Sequence, residues 1–193
     1  MDLLEAYRRG VGDFADLVGQ VGFDQWPSPT PCADWDVRTL VNHVVGEELW
    51  SVPLLAGATL AEVGDRFDGN VLGPDPTAAA RAAAAGADRA VTQPGVLTRT
   101  VQLSMGDTPA PEYLHQLLAE HLVHGWDLAV AIGARPRLDP AAVHICAVWY
   151  AERVPMYRDG GLVGDRVVLP ETASEPDRMI AAFGRDPGWR SDA

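Results

Sequence analysis

The chain has 193 residues, 47% of them hydrophobic, which is the size and composition of one globular domain with an adequate core. Its formal net charge of -12 argues against nucleic acid as a partner, because lysine and arginine contacts supply most of the affinity for a phosphate backbone. Residues 1–9 lack the apolar core of a signal peptide, and no apolar run approaches the roughly 20 residues that span a bilayer. We therefore expect a cytoplasmic protein that contacts neither membrane nor nucleic acid.

Two helices are predicted in the first third of the chain. Apolar residues recur every three or four positions over residues 3–21, which predicts helix one. A proline-rich segment then interrupts the pattern, and Asp34 or Asp36 has the side chain expected at a helix start. From there the apolar period continues past His43, and Pro53 and Gly57 are expected to end or kink helix two.

The middle of the chain predicts three more helices and one extended segment. The alanine-rich residues 77–91 favour helix three. Residues 96–103 are rich in β-branched side chains and predict a short extended segment rather than a sheet, after which residues 106–109 turn the chain. Helix four is predicted over residues 111–132, and a fifth helix over residues 139–154.

The remaining residues alternate between loop, a short strand around residues 165–170, and a short helix. No internal repeat or detached domain is visible. The pattern predicts an all-α fold, an antiparallel four-helix bundle over residues 1–158 that can hold a metal between facing helices. Residues 159–193 are expected to form a small C-terminal extension packed on the same domain.

Glu120, His124 and His43 form a candidate metal site. Glu120 and His124 lie four residues apart, so a helix places them on one face, where both can reach one cation. His43 lies in the middle of helix two. Glu120 falls among apolar residues, and a buried carboxylate must be paired, protonated or bound to a metal.

For other polar residues near this site the sequence allows more than one role. Glu47 and Asp127 could orient the imidazoles, or form surface ion pairs or helix-end charges. His121 is expected at the helix border or surface, although it is the obvious substitute ligand if the register differs. His115 and His144 have no partner at ligand spacing, and we expect them at the surface or in packing contacts.

Three protein ligands leave one coordination position open, which is typical of a catalytic rather than a structural metal. Two histidines and a carboxylate suit Zn²⁺, Ni²⁺ or Fe²⁺. The two cysteines, Cys32 and Cys146, have no metal-binding spacing, and we expect reduced, buried or half-buried thiols without a chemical role.

Three segments carry a family resemblance: residues 30–46, residues 120–129 and residues 183–187. They resemble the N-terminal, metal-binding part of the mycothiol-dependent maleylpyruvate isomerases, within the DinB/YfiT-like superfamily and its compact actinobacterial branch. The resemblance implies a DinB-like four-helix bundle that binds zinc or a similar divalent ion. The metal triad of the family falls on His43, Glu120 and His124.

The resemblance also implies the use of a low-molecular-weight thiol. The isomerase itself has a further C-terminal domain, whereas only about 60 residues follow helix four in this chain, so the metal site and thiol chemistry carry over rather than the isomerisation. The leading hypothesis is a transferase or isomerase-type enzyme that uses mycothiol as cosubstrate and attacks a small electrophile. The sequence assigns no catalytic or mycothiol-binding residue.

Two alternatives remain at the level of the sequence. One is a metal- or ligand-binding module without turnover, related to stress responses or sensing. The other is a structural bundle whose histidines and glutamates form a polar core. We expect a homodimer, because large aromatic side chains could supply the contact area, whereas the alternative is that they fill the core. The residues concerned are Trp50, Trp126, Trp149 and Tyr150.

Overall fold

The protein is described by a computed structural model over residues 1–161 and 163–191. Helices occupy most of this range, with one 3₁₀ turn at Val96–Thr98 and one pair of strands. The elements in chain order are α1 (Leu3–Val18), α2 (Val37–Ala56), α3 (Leu60–Val63), α4 (Pro76–Val91), β1 (Thr100–Leu103), β2 (Gly106–Pro109), α5 (Ala110–Ala131), α6 (Pro140–Ala151), α7 (Val154–Asp159) and α8 (Glu175–Ala182).

The four longest helices pack as a ring around the core. Helix α1 contacts α4 and α5, and α2 contacts the same two helices. The buried side chains between them are mainly Leu, Val and Ala, which pack the helices closely together. The prediction of a mostly helical fold is confirmed. Among the described residues, no helix is both long enough and apolar enough to cross a membrane.

The start of α2 follows from one side chain. Asp36 accepts a hydrogen bond from the backbone N–H of Thr39 at 2.7 Å, which satisfies a donor that the first helical turn leaves free. Asp34, the alternative start, instead has a φ of 67° in the loop before the helix. Gly57 ends α2 with a φ of 101°, a left-handed conformation that glycine adopts without strain.

The expectation of an extended segment without a sheet was wrong. Strands β1 and β2 form an antiparallel hairpin in which Leu103 pairs with Gly106, so only two residues connect the strands. Residues 106–109 are therefore a strand rather than a turn. Gly106 has a φ of 113°, which allows so tight a reversal, and the fully buried Val101 attaches the hairpin to the core.

The C-terminal extension packs on α6. Side chains of α8 and of the residue after it, Phe183, are buried against the aromatic side chains of α6. The strand expected at residues 165–170 is absent from the described structure. Val167 N–H donates to the Ala181 carbonyl at 3.1 Å and the Pro170 carbonyl accepts from Ala173 N–H at 3.0 Å, but neither bond is to a partner strand. The extension thus attaches through side-chain packing rather than through a sheet.

Large aromatic residues fill the core instead of forming a surface patch. Trp126 and Trp149 are 5% exposed and Tyr150 is 1% exposed. Trp50 is half-buried and lies against Phe67, with ring centroids 5.9 Å apart. These residues therefore give no support to the predicted homodimer, which stays a prediction.

Candidate metal centre

Helices α2 and α5 bring the three predicted ligands together. His43 on α2 and His124 on α5 each place Nε2 3.0 Å from the same atom, Oε2 of Glu120. One donor atom from each of the three residues lies within 4.8 Å of the others. The one-turn spacing on α5 and the facing position on α2 thus produce the arrangement that the sequence predicts.

The donor set and its spacing fit a divalent ion. Two ligands bound about 2.1 Å from a tetrahedral ion lie roughly 3.4 Å apart, close to the 3.0 Å contacts of this cluster. The side chain of Glu120 is 37% exposed and that of His43 is 32% exposed, whereas His124 is 8% exposed. Glu120 is therefore less buried than its apolar sequence neighbours suggest, because the cluster opens to solvent on the side of Glu120 and His43.

The charges within the cluster stabilise one another. Burial disfavours the charged form of Glu120, but the imidazoles of His124 and His43 outweigh it and hold the pKa of this carboxyl well below its usual range. Burial likewise acts to lower the pKa of His124, but Glu120 and Asp127 prevail and raise it to about 9. The pocket thus strongly favours a positive charge beside a carboxylate that stays ionised.

Asp127 orients the imidazole of His124. Its Oδ2 lies 3.0 Å from Nδ1 of His124, and its side chain is fully buried. Nδ1–H donates to this carboxylate, which leaves Nε2 of His124 facing Glu120. A carboxylate behind a histidine in this way fixes the ring orientation and raises its basicity toward a metal.

Arg185, from the segment after α8, reaches the same carboxylate. Its Nη2 donates to Oδ2 of Asp127 at 3.1 Å, and its Nε lies 3.3 Å from both carboxylate oxygens. The contacts from Arg185 to Asp127 and from Asp127 to His124 therefore connect the C-terminal extension to the candidate metal centre.

Trp35 covers the two imidazoles. Its ring centroid lies 4.8 Å from that of His43 and 5.5 Å from that of His124, and the second pair is stacked with an interplanar angle of 29°. Trp35 belongs to the loop immediately before α2, whose start is fixed by the Asp36 cap. One side of the cluster is thus apolar while the side of Glu120 remains open.

Glu47 lies near the cluster without bonding to it. Burial raises the pKa of Glu47, and the nearby negative charge of Glu120 raises it further, while His43 acts in the opposite direction. Within the described residues, Glu47 makes no hydrogen bond to a ligand imidazole. The structure brings Asp127, but not Glu47, into the orienting position that the sequence allows for both.

The expectation that His121 lies at a helix border or surface was wrong. Its side chain is fully buried, with Nε2 2.9 Å from Oε1 of Glu48 and Nδ1 2.6 Å from the Leu117 carbonyl oxygen. Helix α5 packs against α1, α2 and α6, so several of its faces are covered at once. His121 belongs to this second pair and is not among the residues that converge with His43.

The remaining histidines and the cysteines lie outside the cluster. His115 stacks on Trp149 with an interplanar angle of 9°, and the exposed His144 lies 2.9 Å from Glu175. Both are packing or surface residues, as predicted. Cys32 is half-buried and Cys146 is buried, and both thiols are free.

Sequence reasoning missed three residues around the centre: Trp35, Glu48 and Arg185. Trp35 and Arg185 lie within the motifs of residues 30–46 and 183–187 that carry the family resemblance, which was the available signal. No periodicity connects either residue to a helix face, because both belong to loops.

Comparison with known proteins agrees with these motifs. The chain matches the mycothiol maleylpyruvate isomerase N-terminal domain family over residues 7–129, more than half of its length, and it belongs to this family. Two uncharacterised proteins from two strains of Mycobacterium tuberculosis are each 35% identical over 191 residues, covering 96% of this chain and 98% of theirs. No solved structure gives a significant match. The three candidate ligands and Asp127 all lie within the family's range.

Proposed function

We propose that this chain is a cytoplasmic, divalent-metal-dependent enzyme of the thiol-transferase or isomerase type. Its cosubstrate is a low-molecular-weight thiol, mycothiol, and its second substrate is a small electrophile. Zinc is the expected ion, with nickel or iron as alternatives that suit the same donors. The observation that carries the proposal is the convergence of His43, Glu120 and His124 on one point.

His43, Glu120 and His124 are the residues that would hold the ion. His124 is fixed from behind by Asp127 at 3.0 Å, and Glu120 supplies a negative charge that lies 3.0 Å from both imidazoles. Three protein ligands leave a position for an exogenous group, and the partly exposed side chains of His43 and Glu120 place this position on the solvent side.

Thiol chemistry suits such a centre. A bound divalent ion would supply positive charge that lowers the pKa of a thiol and favours the thiolate, the nucleophilic form, at neutral pH. The ring of Trp35 provides an apolar wall beside both imidazoles. Family membership supports mycothiol as the thiol.

The proposal is tested first by metal content. Elemental mass spectrometry of untagged wild type should find close to one ion per chain, and His43→Ala and Glu120→Ala should lose it. His144→Ala is the matched control, because this exposed histidine pairs with Glu175 outside the cluster. Metal-free wild type after reconstitution with zinc, with a native circular dichroism spectrum, would refute the proposal.

Turnover is tested next with the zinc-loaded protein, mycothiol and model electrophiles. We expect a rate above the uncatalysed reaction that is lost in Glu120→Ala and kept in His144→Ala. Acceleration by wild type and Glu120→Ala alike would show that the three-residue centre is not the source of the activity.

A metal-binding module without turnover is the second candidate. The observation that favours it is the packing of Trp35 against both histidine rings, which shields one side of the centre. In this case zinc would bind stoichiometrically, but added thiol would leave the absorption spectrum of the cobalt-substituted protein unchanged. A thiolate-to-cobalt charge-transfer band on addition of mycothiol would instead support the enzyme.

A further inference from the structure

Asp127 depends on more than one partner for its burial. Its side chain is fully buried, and a carboxylate without hydration must be compensated by bonds and charge. His124 supplies one contact at 3.0 Å. Arg185 supplies the others, with Nη2 at 3.1 Å from Oδ2 and Nε at 3.3 Å from both oxygens. Within the described residues, Arg185 is thus the only partner of Asp127 that is always positively charged.

The guanidinium of Arg185 is held in place by its own segment. Its Nη1 donates to the Phe183 carbonyl at 3.2 Å, and its backbone N–H donates to the Ile180 carbonyl at 3.2 Å. Its side chain is 14% exposed. Arg185 therefore approaches Asp127 in a defined orientation rather than as a mobile surface side chain.

The segment that carries Arg185 is anchored on both sides. Phe183 stacks on Tyr150 of α6, with ring centroids 3.9 Å apart. Gly184 has a φ of 80°, and a Cβ at this position would lie 3.0 Å from backbone atoms of Gly164. The turn after α8 thus has little freedom to shift, and neither has the arginine that follows it.

These contacts extend to a ligand of the candidate centre. Because Arg185 engages both oxygens of Asp127, the carboxylate cannot rotate without losing bonds. Its Oδ2 consequently stays opposite Nδ1 of His124, and Nε2 of the same ring stays opposite Glu120. An arginine outside the four-helix ring thereby fixes the direction of a histidine inside it.

We propose that Arg185 is a positioning residue of the metal centre: it clamps Asp127, and through Asp127 it holds His124 with Nε2 directed at the point faced by His43 and Glu120. This inference rests on the proposed function, since it requires that the three residues bind an ion. It gives the C-terminal extension a role in the centre that lies on α2 and α5.

The test measures metal affinity rather than turnover. Zinc affinity is determined by competition with a chelator, and the coordination geometry by the visible absorption of the cobalt-substituted protein. Arg185→Gln is expected to weaken zinc binding by about 10–100-fold and to alter the cobalt bands, since losing a group that orients a ligand has effects of this size. Arg185→Lys should fall between, because lysine keeps the charge without the two-pronged contact.

A double variant separates positioning from a general electrostatic effect. If Arg185 acts through Asp127, the Asp127→Asn and Arg185→Gln changes together should weaken binding no more than Asp127→Asn alone. If the double variant instead showed the product of the two single-variant losses in zinc affinity, the proposal would be overturned, since Arg185 would then act by a route other than Asp127.

Arg190→Gln is the matched control, because this exposed arginine of the same segment bonds, among the described residues, to the carbonyls of Pro187 and Trp189 rather than to Asp127. It should bind zinc as wild type does. Folding of each variant is checked by circular dichroism. Wild-type affinity and cobalt bands in folded Arg185→Gln would overturn the role of Arg185 alone, whereas wild type that binds no metal would overturn the proposed function together with it.

Discussion

Glu48 and His121 form a hydrogen-bonded pair 2.9 Å long in which neither side chain is more than 1% exposed. Glu48 follows Glu47, which lies near the candidate centre, and His121 follows Glu120, which belongs to it. Nδ1 of His121 must carry a proton, because it contacts a carbonyl oxygen, that of Leu117, at 2.6 Å. One further proton is then shared between Nε2 and Oε1. The same two helices thus hold an open polar cluster and a sealed one.

The sealed pair is expected to contribute to stability. Glu48→Ala should lower the free energy of unfolding by about 3 kcal/mol, because it leaves buried His121 without its partner. Burial raises the pKa of Glu48, while its bond to His121 acts in the opposite direction. Glu48→Gln retains a donor toward Nε2 and should cost about 1 kcal/mol. Denaturant titration gives both values, and an unchanged midpoint for Glu48→Ala would show that the pair contributes nothing.

His121 and His124 should differ sharply in their effect on metal content. His124→Gln removes a donor atom that lies 3.0 Å from Oε2 of Glu120, so the variant should lose most of its zinc. His121→Gln keeps a hydrogen-bonding group for Glu48 and leaves the three ligands intact, so it should retain the wild-type content. Elemental analysis of the two variants provides the comparison. Loss of zinc from His121→Gln alone would move the site to the sealed pair.

The ion pair of Glu112 and Arg153 predicts that the stability of the protein falls at acidic pH. Two bonds of 2.8 Å join the carboxylate and guanidinium, and Trp149 donates to the same carboxylate at 3.1 Å. Burial acts to raise the pKa of Glu112, but these bonds prevail and lower it below the usual 4.5. A lowered pKa means that the stabilisation is present above the unfolded value and is lost as pH falls through the folded value.

Glu112→Gln should therefore reduce stability at neutral pH by about 1 kcal/mol and flatten the decline in stability below pH 4.5. Thermal melts at neutral pH and across the acid range measure both effects. The matched control is the exposed Glu171→Gln, which makes the same change in net charge away from this pair. A decline of equal steepness in wild type and Glu112→Gln would contradict the prediction.

Two glycine substitutions should have opposite signs. Gly184→Ala forces a side chain onto a residue with φ of 80° whose Cβ would meet Gly164 backbone at 3.0 Å, so it should lower stability by about 2 kcal/mol. Gly12 lies inside α1, and apart from its own stretch of helix no atom of the described residues is within 4 Å of the new Cβ, so Gly12→Ala should raise stability by about 0.5–1 kcal/mol. Denaturant titration gives both changes in the free energy of unfolding. A more stable Gly184→Ala would show that the turn before Arg185 is not constrained.

The candidate ligands were predictable because each depends on local helix geometry. A spacing of four places Glu120 and His124 on one face whatever the rest of the chain does, and the apolar period sets the orientation of His43. The prediction for His121 was wrong because an argument from periodicity assumes that a helix has one buried face. Helix α5 has neighbours in α1, α2 and α6, so a residue about 100° away from Glu120 is buried as well.

The contacts formed by loops could not be predicted in this way. Arg185 reaches a residue 58 positions earlier in the chain through a turn whose shape depends on Phe183 and Gly184. The β-hairpin depends on one glycine at residue 106, which composition alone did not distinguish from an ordinary turn. In both cases a backbone conformation outside regular secondary structure determines which side chains meet.

His43 and Glu120 are 77 positions apart in the chain, although their side-chain atoms meet at 3.0 Å. An unfolded chain must close this long loop before both can reach the same ion, so an ion held by them binds the native protein far better than the unfolded one. Metal binding and folding are then linked equilibria. Free zinc would raise the melting temperature in a concentration-dependent manner, by an amount that grows with the ratio of free zinc to its dissociation constant.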